Sequence, residues 1–435
     1  MQWRILVFVL AMLPALAGAQ GAVSVKLAFN PDANGAAGNK NLTVSLRPGG
    51  GYKLPDLNTT TPLYASIDLA DGRRLLIFDR ARKKGEYSRL IADCNGNGNL
   101  ADDTPLSGTQ SGFGGKIYFM QFPKVPFEVK QDGRASKAMF AVSLMVFDEK
   151  TEPTSATLEY YEASVSSCGG HTGTFKLGGR DYELTLADSN LDGLPGSPFK
   201  RLDYNKYMDR ELIDPDGDNL NITDKAKKEF YLVPLCRRIL IDGKMYGLAF
   251  DPKQSTMTFT PQDAADFVPL GIGRGIDHVA LVNETGSDSI AMIEPRETET
   301  VPADRWRPVM YSSEFIDKGL QWNLQARSTK STPFVDAREK GARLALAESF
   351  TPRIVLEDEP EAVCDQIRKN NRVSLGYALG GNNGEIVLRC VYMPMRRGLF
   401  DALTGSSGMK QPPAPTFEIS TADGKKVTSG SFQYG

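Results

Sequence analysis

Two short stretches of this 435-residue chain place oxygen-bearing side chains at alternate positions and close on a glycine. One runs Asp93, Asn95, Asn97, Gly98; the other runs Asp188, Asn190, Asp192, Gly193. Oxygens at loop positions 1, 3 and 5 converge on one hard cation, and a glycine at position 6 allows the bend that wraps backbone around it. In the first loop Asn99 would add its backbone carbonyl, and Asp103 replaces the acid expected one residue later, where Thr104 falls. In the second, Leu194 would add a carbonyl, and the remaining ligands would come from Asp203, Asp209 or Asp214. A third cluster, Asp214, Asp216 and Asp218 with Asp224 beyond it, repeats the spacing from Asp93 to Asp103, with Asn219 in the glycine position. Asparagine tolerates the left-handed backbone that such a position needs.

The chemistry expected of these loops is structural calcium binding. Nine acidic residues stand against four basic ones between Asp188 and Asp224. Like charges crowded into so short a segment repel unless a cation neutralises them. Extracellular loops of this kind bind calcium at roughly 10⁻⁴–10⁻³ M, which suits a structural ion and not a sensor. The competing account is that Asp, Asn and Gly simply dominate turns.

Other candidates are weaker. Gly271, Gly273 and Gly275 carry neither the lysine nor the spacing of a phosphate loop and read as a turn. Asp277 beside His278 lacks a nucleophile signature, and Cys168 with His171 makes only two ligands. Trp306, Trp322, Tyr311 and the pair Tyr160 and Tyr161 either pack in cores or line a sugar- or peptide-binding face.

The elements that must position these residues are strands. Period-two alternation recurs, as in residues 182–186, 238–241 and 385–392, bounded by Gly, Asn, Asp and Pro. Helical pattern is confined to short pieces such as 361–369. The fold expected is mostly β, with two related β modules carrying the calcium loops and a C-terminal immunoglobulin-like β-sandwich. In the first copy a strand over 87–91 precedes the loop and strands over 117–122 and 127–129 follow it; in the second these are 182–186, 230–233 and 239–241. The expected boundaries are 1–19 for a signal peptide, 20–165 and 166–300 for the modules, and 301–435 for the sandwich.

The signal peptide is read from Arg4, an apolar run over 5–16 and the small residues Ala17, Gly18 and Ala19. The chain is therefore expected to be exported, periplasmic or extracellular, with no transmembrane segment after cleavage. Its net charge of −2 gives no global field that would attract nucleic acid. Five cysteines permit at most two internal disulfides.

The loops resemble EF-hand-derived, dockerin-like D-x-N-x-D-G loops, and the closing Ser431, Phe432, Gln433, Tyr434 and Gly435 resemble the ends of exported bacterial multi-β-domain proteins. The resemblance implies structural calcium. It does not imply cohesin binding, because the flanking helices, the position-12 glutamate and the paired dockerin repeat are missing. The expected function is a non-enzymatic binding or scaffold protein of the cell envelope or extracellular space, with a cell-surface glycan or protein as partner. The alternative is a secreted hydrolase of polysaccharide or peptide that uses calcium structurally.

Overall fold

The computed structural model describes residues 21–33, 38–83, 85–113, 117–131, 134–147, 152–199, 202–207, 210–262, 265–347, 349–356, 368, 375–394 and 410–432. These residues are almost entirely strand, joined by turns and one short 3-10 segment, Leu158–Tyr160. The reason is visible in single strands: Tyr161–Ser167 buries every second residue, as a strand with one face on a core must. The stretch 361–369 lies outside the described residues apart from Arg368.

Two sheets form the first layer pair. A five-stranded sheet built on the long hairpin of Ile117–Gln131 and Arg134–Val146 covers a four-stranded sheet of Leu63–Leu69, Gly72–Asp79, Arg89–Ala92 and Leu106–Ser107. Between them lies a core that includes Phe78, Phe122, Phe127, Phe140 and Leu144, none more than 1% exposed. The segments expected as separate strands at 117–122 and 127–129 are one 15-residue strand. A bulge between Phe140 and Val142 on the partner takes up the irregularity.

A second five-stranded sheet holds Arg180–Ala187 at its centre, flanked by Gly170–Leu177 and Asn219–Asp224. It packs through Leu184, Leu220 and Ile222 onto Ile239, Phe259 and Ala291 of a twelve-stranded sheet. The two N-terminal strands belong here: Val23–Lys26 pairs with Thr256–Pro261, and Ala28–Asn30 pairs with Gly170–Leu177. They leave the segment 38–165 with which the sequence pattern grouped them.

The twelve-stranded sheet takes strands from both sides of residue 300. Arg305–Asp317, Leu320–Arg327, Ile386–Pro394, Leu375–Gly381 and Phe350–Leu356 extend it strand by strand. A third core around Trp306, Leu281 and Leu324 lies under the two-stranded antiparallel sheet of Phe267–Gly271 and Thr298–Pro302. Among the described residues, the C-terminal third thus prolongs a shared sheet, and Thr416–Ser420 with Lys426–Ser431 adds an outlying hairpin.

Candidate metal loops and a cleft

Both loops follow the end of a strand, Arg89–Ala92 in one case and Arg180–Ala187 in the other, and both fold by the same local bonds. In the first, Asp93 Oδ1 accepts from Gly98 N (3.4 Å), Asn95 Oδ1 from Asn97 N (2.9 Å) and Asn97 Oδ1 from Asn99 N (2.7 Å). In the second, Asp188 Oδ2 accepts from Gly193 N (2.9 Å), Asn190 Oδ1 from Asp192 N (3.1 Å) and Asp192 Oδ1 from Leu194 N (2.8 Å). Side-chain oxygens at positions 1, 3 and 5 thus hold the backbone at positions 6, 5 and 7. Position 6 is a glycine at φ +72° in the first loop and +81° in the second, a conformation that costs other residues energy.

The first loop also gathers side chains around one carboxylate. Asn95, Asn97 and Asn99 each aim their amide nitrogen at Asp102, at 3.4, 3.0 and 2.9 Å. Three amide donors thus converge on one carboxylate. Asp103 turns the other way and accepts from Cys94 N at 3.2 Å. Its second oxygen is buried without a partner, and burial pushes its carboxyl up to about 6. Leu100 is fully buried among Tyr64, Leu75 and Ile77, anchoring the loop to its own module.

The second loop lies at a seam. Leu191, at its fourth position, is 3% exposed and inserts into the core of the first sheet pair, with Leu194 packed beside it. Ala70 N donates to Asp192 O across the same seam (2.8 Å). A Cβ on Gly193 would stand 2.5 Å from Val129 Cγ2. Asp218, fully buried, closes the loop from the start of the neighbouring strand, where Ala187 pairs with Asn219: its carboxylate accepts from Ser189 N (3.1 Å), Gly196 N (2.7 Å) and Ser197 N (3.0 Å). Burial and the neighbouring Asp188 hold the Asp218 carboxyl well above the usual range despite those three donors. Asp188 has one oxygen shielded from solvent without a hydrogen-bond partner, and burial followed by the charge of Asp192 pushes its carboxyl up to about 7.

The remaining acids are dispersed. Asp214 pairs with Arg327 (3.2 Å) and faces Asp203 across the Leu202–Tyr207 and Arg210–Pro215 hairpin. Asp216 lends its carbonyl to Asn190 Nδ2 at 3.4 Å. Asp224 lies at the opposite end of Asn219–Asp224, about 20 Å from Asp218 at roughly 3.3 Å per residue, and caps a turn by accepting from Ala226 N and Lys227 N. Asn219 opens that strand and does not close a third loop. Asp209 lies outside the described residues. Among the described residues, no group of three or more His, Cys, Asp or Glu side chains is gathered to hold a metal by itself. A cation in the second loop would need Asn190 and backbone carbonyls such as that of Leu194 alongside Asp188, Asp192 and Asp218.

Asp102, Ala70 and the insertion of Leu191 escaped the sequence pattern. The one signal for Leu191 is that the first loop has Gly96 at the corresponding position. The cysteines Cys94, Cys168, Cys236 and Cys390 are free thiols. His278 is buried with Nδ1 2.8 Å from Asp277 Oδ2, while Trp306 and Tyr311 are core residues.

A cleft of about 810 Å³ opens beside the third core. One wall is the strand Arg305–Asp317, which contributes Tyr311, Ser313 and Phe315 by strict alternation. The other includes Arg274 and Glu297, ion-paired at 2.7 Å, together with Arg343. Gly271, Ile272 and Gly273 of the glycine run form part of this wall.

No helix among the described residues is long and apolar enough to cross a membrane. Comparison with known protein families, with characterised proteins and with solved structures finds no match to the chain.

Proposed function

We propose that this is an exported, non-enzymatic binding and scaffold protein of the cell envelope or extracellular space, stiffened by structural calcium in the loop that begins at Asp188. The observation that carries the reading is the buried seam. Asp188 and Asp218 lie close enough to feel each other's charge where two sheet systems meet, and the groups acting on them are backbone N–H donors and other carboxylates. A buried carboxylate without a cation partner holds a proton or recruits an ion. Calcium would supply that charge while leaving in place the backbone hydrogen bonds that already shape the loop. Because Leu191 of the same loop is set into the neighbouring core, whatever fixes the loop also fixes one sheet system against the other.

Thermal unfolding of the whole protein in calcium and in chelator tests this. Calcium is expected to raise the melting temperature of the wild type and to leave Asp188→Asn unmoved. Coincident wild-type curves would reduce both loops to turns.

One observation keeps a hydrolase in view. Glu385 is fully buried next to Tyr311 of the cleft, with one carboxyl oxygen unpartnered and its carboxyl raised by burial. A carboxyl that keeps its proton is what a general acid needs. Turnover of a polysaccharide or peptide that disappears in Glu385→Gln would replace the non-enzymatic reading with this one.

A further inference from the structure

Phe315, Trp322 and Tyr392 stand directly opposite one another on three adjacent strands, Phe315 across from Trp322 and Trp322 across from Tyr392. Their side chains therefore share one face of the sheet, the face that carries Leu324 and Ala326 into the third core. Phe315 and Trp322 rings are parallel within 8° at 6.2 Å, and Tyr392 follows at 5.1 Å from Trp322. The row is not core: Phe315 is 44% exposed, and Trp322 and Tyr392 are partly exposed. It leads into the 810 Å³ cleft, of which Phe315 is a lining residue.

We propose that this aromatic row and the cleft it borders form a saccharide-binding site, in which pyranose rings lie along Phe315, Trp322 and Tyr392 while Arg274, Glu297, Arg343 and Ser313 bond the sugar hydroxyls. The proposal rests on the binding-protein reading above and names its ligand class. Three features select a sugar. Aromatic rings in a row offer repeated apolar contact area, and a pyranose has an apolar C–H face to match. The polar wall carries both signs of charge, with Arg274 and Glu297 already neutralising each other, so it complements neutral groups that donate and accept. The central strand, Leu320–Arg327, is hydrogen-bonded along both edges. An incoming ligand there meets side chains and not backbone, which disfavours an extended peptide that would add as a strand. The cleft volume falls in the range of small-molecule sites.

The test uses the full-length mature protein on a glycan array of neutral and acidic oligosaccharides, with affinities then measured by calorimetry on the best hexasaccharide. Wild type is expected to bind, and Phe315→Ala and Trp322→Ala to weaken binding about tenfold each, a change of about 1.4 kcal/mol. Tyr160→Ala, a change at a distant exposed tyrosine, is expected to leave binding unchanged. Phe315 is exposed enough that its truncation should leave the melting temperature near wild type, so lost binding there reports the site. An empty array, or glycan binding indifferent to Phe315→Ala and Trp322→Ala, overturns the site. Selection of a peptide from a displayed library by this face, with no glycan bound, overturns the ligand class. Either result leaves the calcium response of the scaffold standing, whereas loss of that response with glycan binding intact overturns the scaffold reading alone.

Discussion

The two loops share a sequence pattern and a local hydrogen-bond ladder, yet they solve opposite problems. At the fourth position the first loop has Gly96 at φ +70° and the second has Leu191 at φ +61°. For glycine that backbone is nearly free of cost, whereas for leucine it costs roughly 1–2 kcal/mol. The cost is tolerated because the left-handed turn aims Leu191 into the opposite core, where its burial is worth about 1.5–3 kcal/mol. In the first loop the same position lies against Arg74, leaving no room for a side chain. The first loop is closed by amides around Asp102 within one module, while the second joins two sheet systems and buries carboxylates in doing so. A shared motif therefore tells how a loop bends and not what it is bent around.

The sharpest way to break the comparison is to remove the wedge. Leu191→Ala should destabilise the protein by about 2–4 kcal/mol in denaturant unfolding, since a buried leucine is lost and the strained backbone is kept. Leu191→Gly, which relieves the backbone, should lose up to about 1 kcal/mol less than that. Equal losses would mean that the left-handed conformation carries no strain.

A pH series separates the loops by charge. Folded Asp188 keeps its proton up to about 7, against an ordinary value of 3.8 when unfolded. Between those limits the folded state binds more protons than the unfolded one, so stability in chelator should fall as pH rises from about 4 to 7, by on the order of a few kcal/mol. Asp103, raised to about 6, contributes in the same direction over a narrower window. Calcium, which binds the deprotonated form, should flatten the slope, and Asp188→Asn should reduce it, with Asp218, whose buried carboxyl is also held up, supplying part of what remains. A slope that survives Asp188→Asn and vanishes in Asp103→Asn would move the ion to the first loop.

Calcium itself has a smaller expected effect. At about ten times its dissociation constant one site adds roughly 1.4 kcal/mol, seen as a shift in the unfolding midpoint. That shift should be lost in Asp218→Asn and kept in Asp102→Asn. Least of all, Asn97→Ala removes one amide from the Asp102 cluster at the surface and should cost about 0.5–1.5 kcal/mol, with or without calcium.

Both loops could be located by eye because their hydrogen bonds span only two to five residues, and such bonds depend on residue type at fixed spacing. The mostly β class was legible for a similar reason, since alternation records which residues share a face. Site membership was less so. Asp218 and Asp224 looked equivalent in sequence, yet the six-residue strand Asn219–Asp224 carries them to opposite ends of a sheet. Trp306 and Trp322 both sit in strand-like surroundings, but one is sealed in a core and the other is partly exposed. Spacing along the chain does not say where a covering layer stops.

The sequence by itself determined the bend of each loop, the alternation of each strand and the hairpins between neighbouring strands, because these rest on contacts a few residues apart. Tertiary structure alone decided that Val23–Lys26 pairs with Thr256–Pro261, that Leu191 enters a neighbouring core, and that Phe315, Trp322 and Tyr392 fall into line across three strands. Those outcomes depend on the register and packing of segments far apart in the chain. Register is fixed by which apolar faces are buried together, a property of the assembled sheets and of no single segment.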